Sequence, residues 1–170
     1  LAELVKIAQA NVNTNKKVNS FIIGWQISPR LNSAGRLDHA NTAYELLITK
    51  DKDEAETIAK KLNIKNGERQ KITEAITEDC RKTIEEKLLG DKILIVYSSN
   101  IENPEAEGWS EGVVGLVAGR LCDEYARPVL VITKIKDEIK GSGRSIDEFN
   151  IMEAIEQTSK YLEKFGGHAA

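Results

Sequence analysis

The spacing of apolar residues predicts helices in three parts of the chain. The first ten residues form a short amphipathic pattern, and Asn150 to about Lys164 forms another near the end. Between them, Asp51–Leu89 repeats apolar positions over a length that predicts a single helix of about 55 Å. Its apolar stripe is too patchy for a coiled coil, so we expect a connector between two lobes. Gly67 inside it costs ~1 kcal/mol against alanine and marks a possible kink.

Two short apolar runs, Lys92–Tyr97 and Pro128–Lys134, predict buried strands. A helical pattern from Gly108 to about Glu124 separates them, so the two strands are expected to be parallel and joined by a crossover. Ile139–Gly143 is expected to pair antiparallel with the second strand. The pattern therefore predicts an α/β fold, in which a long connecting helix precedes a small α/β domain with a mixed sheet flanked by helices.

Three glycines lie in the helix between the two strands. They are Gly112, Gly115 and Gly119. Glycines at this spacing indicate either close packing on a strand or backbone contact with a ligand, and packing is the more frequent cause.

The composition excludes some classes of protein. Of 170 residues, 30% are charged and 41% hydrophobic, with a net charge of −3, which is typical of a soluble globular chain. That charge disfavours an evenly basic nucleic-acid binder, so any contact with a polyanion must be confined to a cleft. Cys80 and Cys122 lie at no metal or redox spacing, and we expect reduced thiols in a cytoplasmic protein.

Membrane-spanning segments, targeting segments and the two ends of the chain also bear on its class. No apolar run reaches the ~18 residues of a membrane span, and no signal peptide opens the sequence. The chain starts at Leu1 and stops directly after a motif. We therefore expect a piece of a longer protein.

The segment Ile139–Ser145 combines small residues with an arginine. Gly141 and Gly143 allow the backbone to approach a ligand and to turn N–H groups toward an anion. Arg144 offers a planar fork that matches two phosphate oxygens, and Ser145 adds a hydroxyl. The segment therefore predicts a phosphate site, and the alternative is a hairpin end with a solvated arginine.

Two further segments carry candidate chemistry. In Ser28–Asp38, Arg30 and Arg36 lie six residues apart, too far to share one face of a regular helix. We expect an irregular turn at Gly35 in which both converge on an anion, or else two solvated arginines. At Gly166-Gly167-His168, a diglycine after a helix is an ordinary turn, but its histidine could also reach an anion or a proton in transfer.

Four stretches in this order resemble the RecJ family of single-stranded-DNA exonucleases, in the DHH phosphoesterase superfamily. They are Pro29–Leu37, Gly108–Gly115, Lys140–Ile146 and Lys164–Ala170. The resemblance implies that 1–50 ends an N-terminal lobe, 51–89 is the connecting helix and 90–170 is most of a C-terminal DHH-associated domain. The rest of the N-terminal lobe would hold two divalent ions, usually manganese in the family, and this chain would hold no cofactor or metal.

The resemblance also implies roles for individual residues. His168 is the expected catalytic residue, with Gly166 and Gly167 beside it facing the metal site. The residues expected to bind substrate phosphates in the C-terminal domain are Ser142, Gly143, Arg144 and Ser145. Arg30, Asn32 and Arg36 are expected to contact the nucleic-acid backbone near the lobe junction. Ser110 stands where the family often has histidine, so that histidine's role is lost or moved here.

The expected function is that of a 5′–3′ exonuclease on single-stranded DNA, acting in repair and recombination. We expect a monomer without a membrane partner, open to accessory repair proteins, and inactive as this piece alone. The first alternative is a related phosphodiesterase for short oligonucleotides or cyclic dinucleotides. The second is a nucleic-acid-binding or interaction module without catalysis.

Overall fold

A computed structural model of the chain describes residues 1–11, 17–37 and 39–169. It divides the chain into two compact units, Leu1–Lys71 and Ile72–Ala170. The segment Asn11–Asn19 has the polar composition of a loop, and Asp38 is a residue type that favours helix caps, but most of that segment and Asp38 lie outside the described residues. Within the described ranges, no helix combines the length and the apolar character needed to cross a membrane.

The first unit is built from helices around one apolar core. Helix α1 is Ala2–Asn11, α2 is Ser28–Leu37 and α3 is Asn41–Ile48, and the long helix α4, Lys52–Thr83, begins in this unit. The buried core residues are Leu4, Ala8, Ile22, Ile27, Ala34, Leu46, Ile58, Ala59 and Leu62.

The segment predicted as an irregular turn is a regular helix, so that prediction is wrong. A π-helical segment, Ile22–Ile27, runs directly into α2. Pro29 has no N–H group with which to continue an α-helical ladder. The wider turn accommodates this loss, since the Ser28 N–H bonds to the Ile23 carbonyl five residues earlier.

Helix α4 confirms the predicted long helix. Asp51 begins it, because its carboxylate accepts the N–H groups of Asp53 at 2.8 Å and Glu54 at 2.9 Å. The helix continues through Gly67 without a break, and a π-helical turn at Ile84–Leu88 extends it. A side chain at Gly67 would meet nothing within 4 Å, which identifies a surface position with no packing role.

The second unit carries a three-stranded mixed sheet in the order β1-β2-β3. Strand β1 is Leu94–Tyr97, β2 is Val129–Ile135 and β3 is Glu138–Arg144, and helix α5, Glu111–Tyr125, connects β1 to β2. Strands β1 and β2 are parallel, and β2 and β3 form an antiparallel hairpin. The predicted fold class and strand pairing are therefore confirmed.

One face of this sheet is buried and the other is partly open. Leu94, Val96, Val129 and Val131 on the buried face are at most 1% exposed. On the other face, Ile95 and Tyr97 are each 47% exposed. The continuous apolar runs predicted strands buried on both faces, but β1 has the alternation of a half-buried strand.

The last helix, α6, is shorter than predicted: it spans Ile151–Gln157 instead of reaching Lys164. Thr158 ends it, because its hydroxyl donates to the Ile155 carbonyl at 2.9 Å and competes with the helical ladder. A 3₁₀ turn at Ser159–Tyr161 follows, and residues 162–169 have no regular structure.

Ion pairs join α5 to the part of α4 that lies in the second unit. Arg81 binds Glu124 through Nε at 2.8 Å and Nη2 at 2.9 Å, and Arg120 binds Glu74 at 2.9 Å. These arginines therefore have carboxylate partners and serve packing between helices.

Cys80 provides a test of this packing. Burial raises the pKa of its thiol to about 12, so it stays protonated at neutral pH. We expect Cys80 in the native chain to react with a thiol reagent at pH 8 far more slowly than in the unfolded chain. The pKa of the thiol is higher in the folded chain than in the unfolded chain. This group therefore leaves the free energy of unfolding at its full value below about pH 9 and lowers it as the pH rises from about 9 toward 12. Equal labelling rates in native and unfolded chain would contradict the buried position.

Candidate functional site

Strand β3 presents polar side chains to one face of the sheet. Ser142 pairs with Val131 and Arg144 pairs with Val129, so both lie on the face that carries the buried valines. Helix α5 packs against this face at Gly115, where an added Cβ would lie 3.0 Å from Ser142 Oγ. The alternation of a strand therefore places the hydroxyl and the guanidinium side by side next to α5.

The opposite face of β3 has no side chains at Gly141 and Gly143, and α6 packs closely there. A Cβ at Gly143 would lie 2.8 Å from Ile151 Cδ1, while one at Gly141 would make ordinary contacts at 3.5 Å or more. A side chain at Gly143 would thus displace the end of the Ile151 side chain, whereas one at Gly141 would fit without a shift.

The C-terminal tail folds back onto the start of α6. The Ile151 N–H donates to the Ala169 carbonyl at 3.3 Å, which satisfies one amide at the first turn of the helix. Asn150 caps two more, those of Met152 and Glu153. The bond to Ala169 joins the tail to α6, and the tail residues Gly166, Gly167 and His168 line a cleft together with residues of β3.

A cleft of about 470 Å³ lies among β3, α6 and the tail. Its lining residues are Gly141, Ser142, Gly143, Arg144, Ile151, Met152, Ile155, Gly166, Gly167 and His168. Arg144 and His168 therefore share one cleft although they are 24 residues apart in sequence. The residues of α6 give the cleft an apolar wall, and residues of β3 and of the tail, Arg144 and His168 among them, complete its lining.

Arg144 differs from the arginines that join the helices. Its Nη1 donates to the Gly143 carbonyl at 2.7 Å, and within the described ranges no carboxylate lies within ion-pair distance of it. The Gly143 carbonyl therefore orients the guanidinium, but it does not neutralise the positive charge. Among the same described residues, the Ser142 hydroxyl and the His168 imidazole also make no hydrogen bond to the protein.

Known proteins are similar to this chain in sequence and in fold. A family model described as a DHHA1 domain matches residues 90–170. The single-stranded-DNA-specific exonuclease RecJ of Bacillus subtilis is 35% identical over 170 residues, which are 99% of this chain and 20% of that protein. RecJ of Escherichia coli is 33% identical over 159 residues, 91% of this chain and 27% of that protein.

Solved structures agree. RecJ of Thermus thermophilus in complex with Mg²⁺ has a TM-score of 0.79 at 26% identity, over 98% of this chain and 24% of that one. The chain belongs to the RecJ family. A structure of exonuclease RecJ bound to manganese gives a TM-score of 0.75 at 27% identity, over 98% of this chain and 39% of that one. The RecJ-family chain thus spans well under half of the relatives it matches.

Both of those related RecJ structures are complexes with a metal ion, and the residues of this RecJ-family chain can be compared with what such an ion requires. Throughout residues 1–11, 17–37 and 39–169, no three His, Cys, Asp or Glu side chains are grouped as a metal ion requires. The side chains of these residues therefore do not form a metal site.

Ser145 was predicted to contact phosphate together with Arg144, but in the structure its hydroxyl already donates a hydrogen bond within the protein. Its hydroxyl donates to the Phe149 carbonyl at 2.6 Å and closes the turn before α6. Ser145 does not line the cleft, whereas Ser142, two residues before the arginine, does. Its expected contact with substrate stays a prediction.

Arg30, Asn32 and Arg36 all lie on α2 in the first unit. Arg30 is 5% exposed, and its Nε donates to Asn63 Oδ1 at 2.9 Å while Nη1 bonds to the Gln26 carbonyl. Burial lowers the pKa of this guanidinium. Arg30 therefore packs inside the first unit, while Asn32 and Arg36 are exposed. A contact of these three residues with nucleic acid stays a prediction.

Sequence reasoning did not single out the apolar wall of the cleft, formed by Met152, Ile155 and Ile151. The signal was present, because apolar residues three and four apart define one face of a helix. Met152 also contacts the tail, since a Cβ at Gly167 would lie 3.3 Å from its sulfur.

The two glycines of β3 give a matched test of the cleft. Gly143→Ala forces Ile151 from its position, whereas Gly141→Ala meets only ordinary contacts. We expect Gly143→Ala to be less stable than Gly141→Ala by about 1–2 kcal/mol, the cost of overpacking a buried side chain. Chemical denaturation of both variants measures the difference. Equal stabilities would mean that α6 does not pack on Gly143 as described.

Proposed function

We propose that this chain holds single-stranded DNA by its phosphates within a RecJ-type exonuclease, and that another part of the full-length protein cuts the strand. The observation that carries the proposal is the guanidinium of Arg144. This guanidinium lacks a carboxylate partner among the described residues, and Arg144 lines the same cleft as His168. The names of the relatives, single-stranded-DNA-specific exonucleases, support the choice of polyanion.

The groups around the cleft suit a phosphate better than a base. Arg144 offers two parallel N–H donors that match two phosphate oxygens. The Ser142 hydroxyl adds a third donor, and the backbone at Gly141 is free of a side chain. Contacts of this kind hold a strand without reading its sequence. The apolar wall of Ile151, Met152 and Ile155 would then contact sugar or base without base-specific hydrogen bonds.

His168 is the residue we propose for catalysis. It follows two glycines in an exposed tail and has no hydrogen-bond partner in the described part of the chain, so its imidazole is free to face the phosphate that Arg144 binds. There it would donate a hydrogen bond or a proton to a phosphate oxygen. Such a group stabilises charge that develops as the phosphodiester is hydrolysed.

We further propose that the full-length protein degrades DNA in the 5′–3′ direction and that two divalent ions, manganese in the family, bind in its N-terminal lobe. Two ions there would supply the activated water and stabilise the leaving oxygen. The chain described here would then contribute substrate binding, orientation and the imidazole. Participation in DNA repair and recombination, with accessory repair proteins, belongs to the same proposal.

Arg144→Ala tests the proposal directly. We expect the affinity for an oligothymidylate to fall by about 10- to 150-fold, equivalent to the ~1.5–3 kcal/mol of a hydrogen bond to a charged group. The slope of log K against log salt should decrease by about 0.7, the value for one phosphate of a single strand. Fluorescence anisotropy at several salt concentrations measures both quantities.

Two further variants serve as controls for Arg144→Ala. Arg120→Ala removes the same charge at a position outside the cleft whose partner is Glu74, and should leave affinity within twofold. Arg144→Lys should keep the salt slope but lose affinity, because an ammonium lacks the planar fork. If Arg144→Ala binds like the parent, the proposed phosphate site is wrong.

The purified 170-residue chain should show no nuclease activity with manganese, because the described residues contain no group that could hold a metal ion. Release of nucleotides from a labelled single strand measures this, with the full-length protein as the positive control. Metal-dependent cleavage by the chain alone would refute the division of labour. Preference of the full-length protein for dinucleotides over long strands would favour a short-substrate phosphodiesterase instead.

A further inference from the structure

We propose that Gly115 is a positioning residue for the phosphate site: the absence of a side chain there fixes where the Ser142 hydroxyl and the Arg144 guanidinium lie. This inference rests on the proposed function of the cleft. It concerns a residue on helix α5 that does not line the cleft itself.

The observation is a close approach between α5 and β3. A Cβ at Gly115 would lie 3.0 Å from Ser142 Oγ, and 3.7 Å from both Ser142 Cβ and Arg144 Nη2. The first distance is shorter than an ordinary contact between carbon and oxygen, whereas the other two are normal van der Waals separations. An alanine would therefore displace the hydroxyl first and touch the guanidinium without overlap.

Neither backbone can move away easily. Ser142 pairs with Val131, which is 0% exposed, so β3 is fixed through the hairpin register. Helix α5 is anchored by Val113 and Val117, also 0% exposed. In addition, the hydroxyl of buried Thr133 on β2 donates to the Trp109 carbonyl at 2.8 Å, just before α5 begins. The side chain of Ser142 must therefore give way, which moves its hydroxyl by at least a few tenths of an ångström.

Gly119, one turn further along the same helix, offers a matched control. A Cβ there would meet nothing within 4 Å. Both substitutions replace a helical glycine by alanine, and both restrict the unfolded chain equally. We expect Gly119→Ala to raise the melting temperature by a few degrees, on the order seen for compatible glycine replacements, and to bind DNA within twofold of the parent.

The test measures binding of an oligothymidylate by the parent, Gly115→Ala, Gly119→Ala, Ser142→Ala and the double variant Gly115→Ala/Ser142→Ala. Gly115→Ala should weaken binding by about 3- to 10-fold, the size of one misplaced neutral hydrogen bond. Its salt slope should equal that of the parent, because no charge is removed, whereas Arg144→Ala reduces that slope.

The double variant decides between positioning and general disruption. With the Ser142 hydroxyl removed, the nearest remaining atoms lie 3.7 Å from the new Cβ. Adding Gly115→Ala to Ser142→Ala should therefore cost less than a further twofold in affinity, and the two substitutions should be strongly non-additive. Additive losses in the two backgrounds would overturn the proposal.

The remaining outcomes are equally clear. If Gly115→Ala binds like the parent while Arg144→Ala does not, Gly115 has no positioning role but the phosphate site stands. If neither variant changes binding, the proposed function itself fails. Should Gly115→Ala not fold, the double variant must restore folding, as judged by the melting transition, because the overlapping oxygen is gone. A double variant that also stays unfolded would contradict the inference.

Discussion

The alternation of side chains along strand β3 is the constraint on which the second unit depends. Positions 141 and 143 have no side chains, so α6 and the tail can approach one face. Positions 142 and 144 carry the hydroxyl and the guanidinium on the other face, against a glycine of α5. A shift of one residue in the hairpin register would exchange these faces. In the observed register, the partners of Arg144 and Ser142 are Val129 and Val131, both fully buried on β2.

Charge distribution connects this geometry to function. The chain has a net charge of −3, yet Arg144 lies in a cleft without a neutralising carboxylate among the described residues. Arg81 and Arg120, in contrast, are bound to glutamates and join helices. An exposed ion pair contributes little to the free energy of folding, so the main effect of these two arginines is to orient α5 against the part of α4 that lies in the second unit. In a chain with a net negative charge, an anion site requires a positive group that no carboxylate neutralises. Arg144, next to the exposed backbone of Gly141, is such a group among the described residues.

Sequence patterns predicted the helix α4, the parallel strands and the hairpin, because periodicity reports which side of an element is buried. They could not predict which serine faces the cleft. Ser142 and Ser145 flank the same glycine and arginine, and only the tight turn after β3 brings the Phe149 carbonyl to Ser145. The burial of Arg30 could not be predicted for a similar reason: its partner Asn63 is 33 residues away, and no local pattern reveals that contact.

The central claim is that Arg144 and His168 face the same phosphate, and a nuclear magnetic resonance titration with a short oligothymidylate tests it most directly. The Arg144 side-chain N–H and the His168 imidazole resonances should shift together with one midpoint, while the side chain of Arg120 stays unchanged. Shifts confined to residues away from this cleft, or different midpoints for the two side chains, would contradict a shared phosphate site.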